Sequence, residues 1–177
     1  MKNPVILIPG IQGTKLVDSN KENHDVVWSG IQKYFENLYD LELLPDGDTD
    51  KKREVVIERR DVEDKAYSEI LNYLDNAGYP VYIFGYDWRK SNLENGQKLY
   101  DFVRIVRRKN RGHAQLNFIT HSMGCLVFSG FFKLLTDYQK DKFIRKVVLI
   151  PHIIRVQFNG LLERKQSVFM ITQLAQG

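Results

Sequence analysis

Cysteine is almost absent: Cys125 is the only one in 177 residues, which excludes an intramolecular disulfide and any metal site built from several thiolates. Neither a metal nor a cofactor is implied. Long apolar runs are missing as well. Met1 to Ile8 offers a four-residue apolar run before Pro9-Gly10, too short for the core of a secretory signal. Stretches such as Val147 to Ile150 fall far below the ~20 residues that span a bilayer. A cytoplasmic chain, or one peripheral to a membrane, is expected, with no transmembrane segment. Charge of one sign is not in excess either: 26 Lys+Arg against 22 Asp+Glu leave +4, too mild to point to nucleic acid. With no repeat, Ser/Gly linker or low-complexity stretch, residues 1–177 read as a single domain. What is present, 43% hydrophobic and 12% aromatic residues, suffices for a buried core and excludes a disordered chain.

Pro4-Val-Ile-Leu-Ile8 is a continuous apolar run stopped by Pro9-Gly10, the pattern of a buried strand entering a turn. From Ile11 to Arg53 the pattern weakens. Trp28, Ile31, Tyr34, Phe35 and Leu38 recur at near-helical spacing, and Asp46-Gly-Asp-Thr-Asp50 reads as an exposed turn, so residues 17–53 are expected to leave the core as a lid or cap. Glu54 to Glu58 suits a short strand. Tyr67, Ile70, Leu71 and Leu74 then form a helical stripe that Gly78 can end. Val81 to Phe84, Leu116 to Ile119 and Lys146 to Ile150 are further strands. Leu99, Phe102, Val103 and Val106 lie along one helix, and Met123, Leu126, Val127, Gly130, Phe131 and Leu134 along another. This alternation predicts an α/β fold with a mostly parallel sheet and helices on both faces, its chemistry at the carboxyl ends of the strands.

One motif stands at such an end: Asn117-Phe-Ile-Thr-His-Ser-Met-Gly-Cys-Leu126. A serine between a strand and a helix sits on a sharp turn that lifts its hydroxyl clear of the sheet, so Ser122 is the candidate nucleophile. Thr120 stands where the usual Gly-x-Ser-x-Gly pattern has its first glycine, and Gly124 keeps the second. The alternative is a serine that merely N-caps the following helix. After the first strand, Pro9-Gly-Ile-Gln-Gly13 leaves backbone N–H groups available. The N–H of Ile11, with that of Met123 beside the serine, suits the negative oxygen of a tetrahedral acyl intermediate; an ordinary strand-ending turn is the competing reading. Phe84-Gly-Tyr-Asp-Trp-Arg89 gathers two aromatics, a carboxylate and a guanidinium. An Asp87–Arg89 pair over Trp88 would brace the catalytic turn, as against touching substrate directly.

Pro4 to Leu16, Tyr86-Asp-Trp-Arg89 and His121-Ser-Met-Gly-Cys125, in this order and spacing, resemble the lecithin:cholesterol acyltransferase family, over about residues 4 to 150. The resemblance implies an α/β-hydrolase fold in which Ser122 takes an acyl group from a lipid ester and passes it to an alcohol or to water, with Ile11 and Met123 as oxyanion donors. It implies a lipid acyltransferase or phospholipase-type hydrolase working on lipid or ester, with contact at a membrane surface. The segment around Trp28 resembles the family's lid, where Trp28 either meets lipid or packs inside.

The family places its Asp and His farther beyond the serine than this sequence extends, so an incomplete triad, a truncated chain lacking the last strands, and self-association through an open sheet edge are expected. Residues 151–177, opening with Pro151-His-Ile-Ile-Arg-Val-Gln157, carry no family motif and read as a divergent tail. The other readings are a generic carboxylesterase and a non-catalytic remnant that at most binds lipid surfaces. Of the histidines, His24, His113, His121 and His152, His121 precedes the serine and its side chain is expected to point away from Ser122, while His152 stands at a strand's carboxyl end, where a catalytic role competes with that of a loop residue. Arg104, Arg107, Arg108, Lys109 and Arg111 form either a solvated helix end or an attraction for acidic lipid.

Overall fold

A strand that is apolar at every position needs a neighbour on each edge and a layer on each face, and Val5–Ile8 has all four. The structure, a computed structural model, describes residues 2–19, 26–28, 38–62, 64–112, 114–151 and 168–170. In chain order the elements are β1 (Val5–Ile8), β2 (Thr14–Asp18), β3 (Val26–Trp28), a 3-10 turn over Leu38–Leu41, β4 (Val55–Val62), α1 (Asp64–Asn76), β5 (Val81–Ile83), α2 (Asn92–Lys109), β6 (Leu116–His121), α3 (Gly124–Leu134), α4 (Asp137–Phe143), β7 (Ile144–Ile150) and β8 (Val168–Met170).

The main sheet has the order β5-β1-β6-β7-β8, and every pair in it is parallel. Alternation along β1 splits the core into two layers. Ile6 and Ile8 point to one side, where they join Phe118, Val147 and Leu149 beneath Leu99, Val103 and Val106 of α2 and Val127, Phe128 and Phe131 of α3. Leu7 points to the other, against Tyr67, Ile70 and Leu71 of α1, with Ile83 and Ile119 alongside. Each such side chain, once buried, contributes roughly 1.5–3 kcal/mol. Helices α2 and α3 meet backbone to backbone, since a methyl group on Gly96 would stand 2.8 Å from the Phe131 nitrogen. The result is the parallel, doubly covered sheet of an α/β-hydrolase-like fold.

The stretch after β1 departs from expectation. Trp28 lies in a strand rather than a helix: β2 pairs antiparallel with β3 on one edge and β4 on the other, with Leu16 opposite both Trp28 and Ile57. Trp28 is fully buried with Leu16, Val27 and Val55, so of its two readings packing is the observed one. Pairing between segments far apart in sequence outweighs a local helical spacing. Ile31, Tyr34 and Phe35 lie outside the described residues, as do His24, His113, His152 and all of the tail except Pro151 and β8. That tail strand pairs with β7, although its sequence shows no strand pattern of its own. Helix α4 went unanticipated. Its signal was the Thr136-x-x-Gln139 capping box, in which each side chain satisfies the other's backbone N–H.

Candidate active site

β1 and β6 end side by side, with Ile8 opposite Thr120, so the turns that leave them are neighbours. After β6 the backbone reverses at Ser122, which takes φ 50°. A side-chain-bearing residue in the left-handed region costs of order 1–3 kcal/mol and persists only where its surroundings enforce it. Here the Ser122 N–H donates to Ile150 O at 2.9 Å and Ser122 O accepts from the Cys125 N–H at 3.0 Å. The N-cap of α3 is Met123, with no side-chain capping bond, so the capping alternative for Ser122 is not what the chain adopts. Among the described residues, the Ser122 hydroxyl has no hydrogen-bond partner.

Small residues let α3 start this close to the sheet. A methyl group on Gly124 would fall 2.5 Å from Pro9 O and 2.6 Å from Ile8 O, both immovable backbone atoms. One on Gly10 would stand 2.9 Å from Ser122 Cβ, which puts the first loop directly against the serine turn. Thr120 fits in place of a glycine because its hydroxyl lies 3.0 Å from the buried Cys125 thiol. Burial raises the pKa of that thiol, opposed by the Thr120 bond, so it stays neutral.

The loop after β1 is a tight turn. Gly13 N–H donates to Gly10 O at 3.1 Å, and Gln12 takes φ 62°. Ile11 rides at its crest, 53% exposed. Neither the Ile11 N–H nor the Met123 N–H meets an acceptor among the described residues, and unspent N–H groups beside a serine are what an oxyanion requires.

Three aromatic side chains hold this turn from behind. Tyr86 donates its hydroxyl proton to Pro9 O at 2.9 Å, and its N–H donates to Thr14 Oγ1 at 3.2 Å. Trp88 Nε1 donates to Thr14 O at 3.2 Å, and Trp28 Nε1 to Gln12 O at 2.9 Å. The two indoles pack edge to face, 5.4 Å between centroids. Burial pushes the Tyr86 phenol far above its ordinary pKa, so it remains a donor.

Asp87 and Arg89 form the expected pair, a fork in which Nε and Nη2 donate to the two carboxylate oxygens at 2.9 and 2.6 Å. Arg89 Nη1 reaches on to Asp50 at 2.7 Å and Leu41 O at 3.4 Å, which ties the 38–53 stretch to the end of β5. Burial opposes the charge on Arg89, but the bonds to Asp87 and Asp50 hold its pKa above the ordinary value. Beside this brace lies a cleft of about 640 Å³ whose walls combine Val17, Val55, Ile57, Phe84 and Tyr86 with Asp87, Lys90 and Lys98.

Sequence reasoning missed one residue of this neighbourhood. Tyr67, placed only on an apolar stripe, bonds through its hydroxyl to the Gly10 N–H and to His121 Nδ1, each at 2.8 Å. Of the basic cluster, Arg107 is engaged: its Nε donates to Ala114 O and its guanidinium lies 4.0 Å over the Phe143 ring. Among the described residues no group of three His, Cys, Asp or Glu side chains is set to hold a metal, and no helix is long and apolar enough to cross a membrane.

Compared with known proteins, residues 56–152, just over half of the chain, match the model of the family described as Lecithin:cholesterol acyltransferase. That range contains the serine turn and Tyr86 to Arg89, while the Pro4 to Leu16 motif lies outside it. No curated protein matches the sequence. Among solved structures, the chain is similar to the product of the gene lin2722 from Listeria innocua, at 16% identity and a TM-score of 0.38, over 85% of this chain and 51% of that one. It therefore spans about half the length of that protein.

Proposed function

We propose, for a chain that belongs to the lecithin:cholesterol acyltransferase family, that Ser122 is the nucleophile of an acyl-transfer site for lipid esters and that the Ile11 and Met123 N–H groups are its oxyanion donors. Membership itself associates the chain with acyltransferase or hydrolase activity on lipid. The observation that carries the finer reading is the left-handed Ser122 at the junction of β6 and α3. Strain of this kind gathers where function needs a side chain presented.

In this reading the serine oxygen bonds to the ester carbonyl carbon as its proton passes to a base, and the two N–H groups receive the charge that forms on the carbonyl oxygen. The alcohol part of the donor then leaves. A second alcohol or water takes the acyl group from the serine and restores the hydroxyl. The family's lipid chemistry and the exposed Ile11 beside the serine turn support a lipid donor met at a membrane surface. In the same reading the stretch 17–53 serves as a cap, of which residues 38–53 are tied down through the bonds of Arg89 to Leu41 and Asp50.

Lipid binding without turnover is the second reading. It is favoured by the absence, among the described residues, of any partner for the Ser122 hydroxyl, since serine without a base is a weak nucleophile. A fluorophosphonate probe separates the two. Labelling of the full chain that disappears in Ser122→Ala supports the nucleophile, and an unlabelled chain that still binds phospholipid vesicles supports binding alone. Turnover of short-chain esters but not of phospholipid vesicles would mark a carboxylesterase instead.

A further inference from the structure

We infer that Tyr67 is a positioning residue that sets the oxyanion loop before reaction, an inference that rests on the acyl-transfer reading of Ser122. Gly10 and Gly13 must both lack side chains. A methyl group on Gly10 would stand 2.9 Å from Ser122 Cβ, and one on Gly13 would stand 2.9 Å from both Pro9 Cβ and the Tyr67 hydroxyl oxygen. The bareness that admits these contacts also frees the backbone to rotate. An oxyanion donor that swings away forfeits its effect, so the loop needs a restraint from outside itself.

The peptide joining Gly10 to Ile11 is planar and trans, so its C=O and N–H point in opposite directions. Its carbonyl end is held by the Gly13 N–H at 3.1 Å. On the other side of the same Cα, the Gly10 N–H donates to the Tyr67 hydroxyl at 2.8 Å. Gly10 is thus gripped on both sides, and the Ile11 N–H is left facing away from Gly13. Tyr67 reaches the loop from α1, across the sheet from α3, with its ring buried against Leu7 and Val62, so its oxygen does not travel with the loop. The same oxygen lies 2.8 Å from Nδ1 of His121. One hydroxyl joins the residue before Ile11 to the residue before Ser122, keeping donor and nucleophile in register.

Tyr67→Phe removes that oxygen and keeps the ring. In the full chain, the maximal rate of Ser122 labelling by a fluorophosphonate is expected to fall about tenfold to a hundredfold, with the half-saturating probe concentration unchanged. Amide hydrogen exchange at Gly10 should rise, while Phe84, whose N–H donates to Leu7 O at 2.9 Å, keeps its protection. Unchanged labelling together with unchanged Gly10 exchange overturns the inference. Protection lost across β1 and β6 alike also overturns it, marking a role in folding alone. Rapid exchange at Gly10 in the wild-type chain overturns it whatever the variant does. A wild-type chain that takes no label defeats the acyl-transfer reading, and with it the catalytic meaning of the restraint; Gly10 exchange then separately reports whether the restraint exists.

Discussion

Thr120 Oγ1 and Cys125 Sγ lie 3.0 Å apart on the two sides of the serine turn, both fully buried. The strand's last inward residue is thereby fastened to the first turn of α3. A glycine at position 120 would allow the same approach of strand and helix but would take the hydroxyl away from the thiol, leaving the longer contact to the carbonyl of residue 120, now at 3.7 Å.

Thr120→Val keeps the volume and removes the hydroxyl. Stability should fall by about 0.5–1.5 kcal/mol, the usual net worth of a hydrogen bond, whereas Thr120→Ser should retain most of it. Urea unfolding of the two variants measures the difference, and equal midpoints would remove the hydrogen bond from the account of this turn.

Ser122 is strained by its φ of 50°, and only glycine adopts that conformation freely. Ser122→Gly should therefore unfold at a higher temperature than Ser122→Ala, by about 1 kcal/mol in stability, although both abolish labelling. Calorimetry on the pair tests this; an alanine variant as stable as the glycine one would mean that the turn stores no strain.

Arg89 is 4% exposed between Asp87 and Asp50. Arg89→Met leaves two carboxylates facing each other without their cation, a loss of about 3–5 kcal/mol. Lysine cannot reproduce the fork to Asp87 together with the bond to Asp50, so Arg89→Lys should recover only part. Chemical denaturation gives the ordering, with proteolysis within 38–53 as a second readout.

Burial raises the pKa of Cys125 and of Tyr86 in the folded chain, from ordinary values of 9.0 and 10.0. Above about pH 9 the unfolded chain therefore binds fewer protons than the folded one, and stability drops as the pH rises. The contribution of both groups is complete below that pH and is lost as the pH climbs toward their folded values. Melting temperatures from pH 8 to 11 should decline, less steeply in Cys125→Ala relative to its own value at pH 8. A flat profile would contradict the burial of both groups.

Most of the scaffold could be read from the residues in order. The runs at Val5–Ile8, Leu116–Ile119 and Lys146–Ile150 and the stripes of α1, α2 and α3 each carry their own pattern, because burial repeats along a strand or helix with that element's period. The serine turn was legible for a similar reason: a sharp passage from strand to helix demands small flanking residues wherever it occurs. The antiparallel sheet that buries Trp28, the grip of Tyr86 and Trp88 on the first loop, and the bond from Tyr67 to Gly10 were not. The last joins residues 57 positions apart. A stripe of period 3.6 says that Tyr67 faces inward, but which backbone amide its oxygen meets depends on how α1 seats against β1 and β6. That seating is settled by the packing of all the elements together, since a hydrogen bond tolerates only a few tenths of an ångström while a pattern of burial tolerates a whole face.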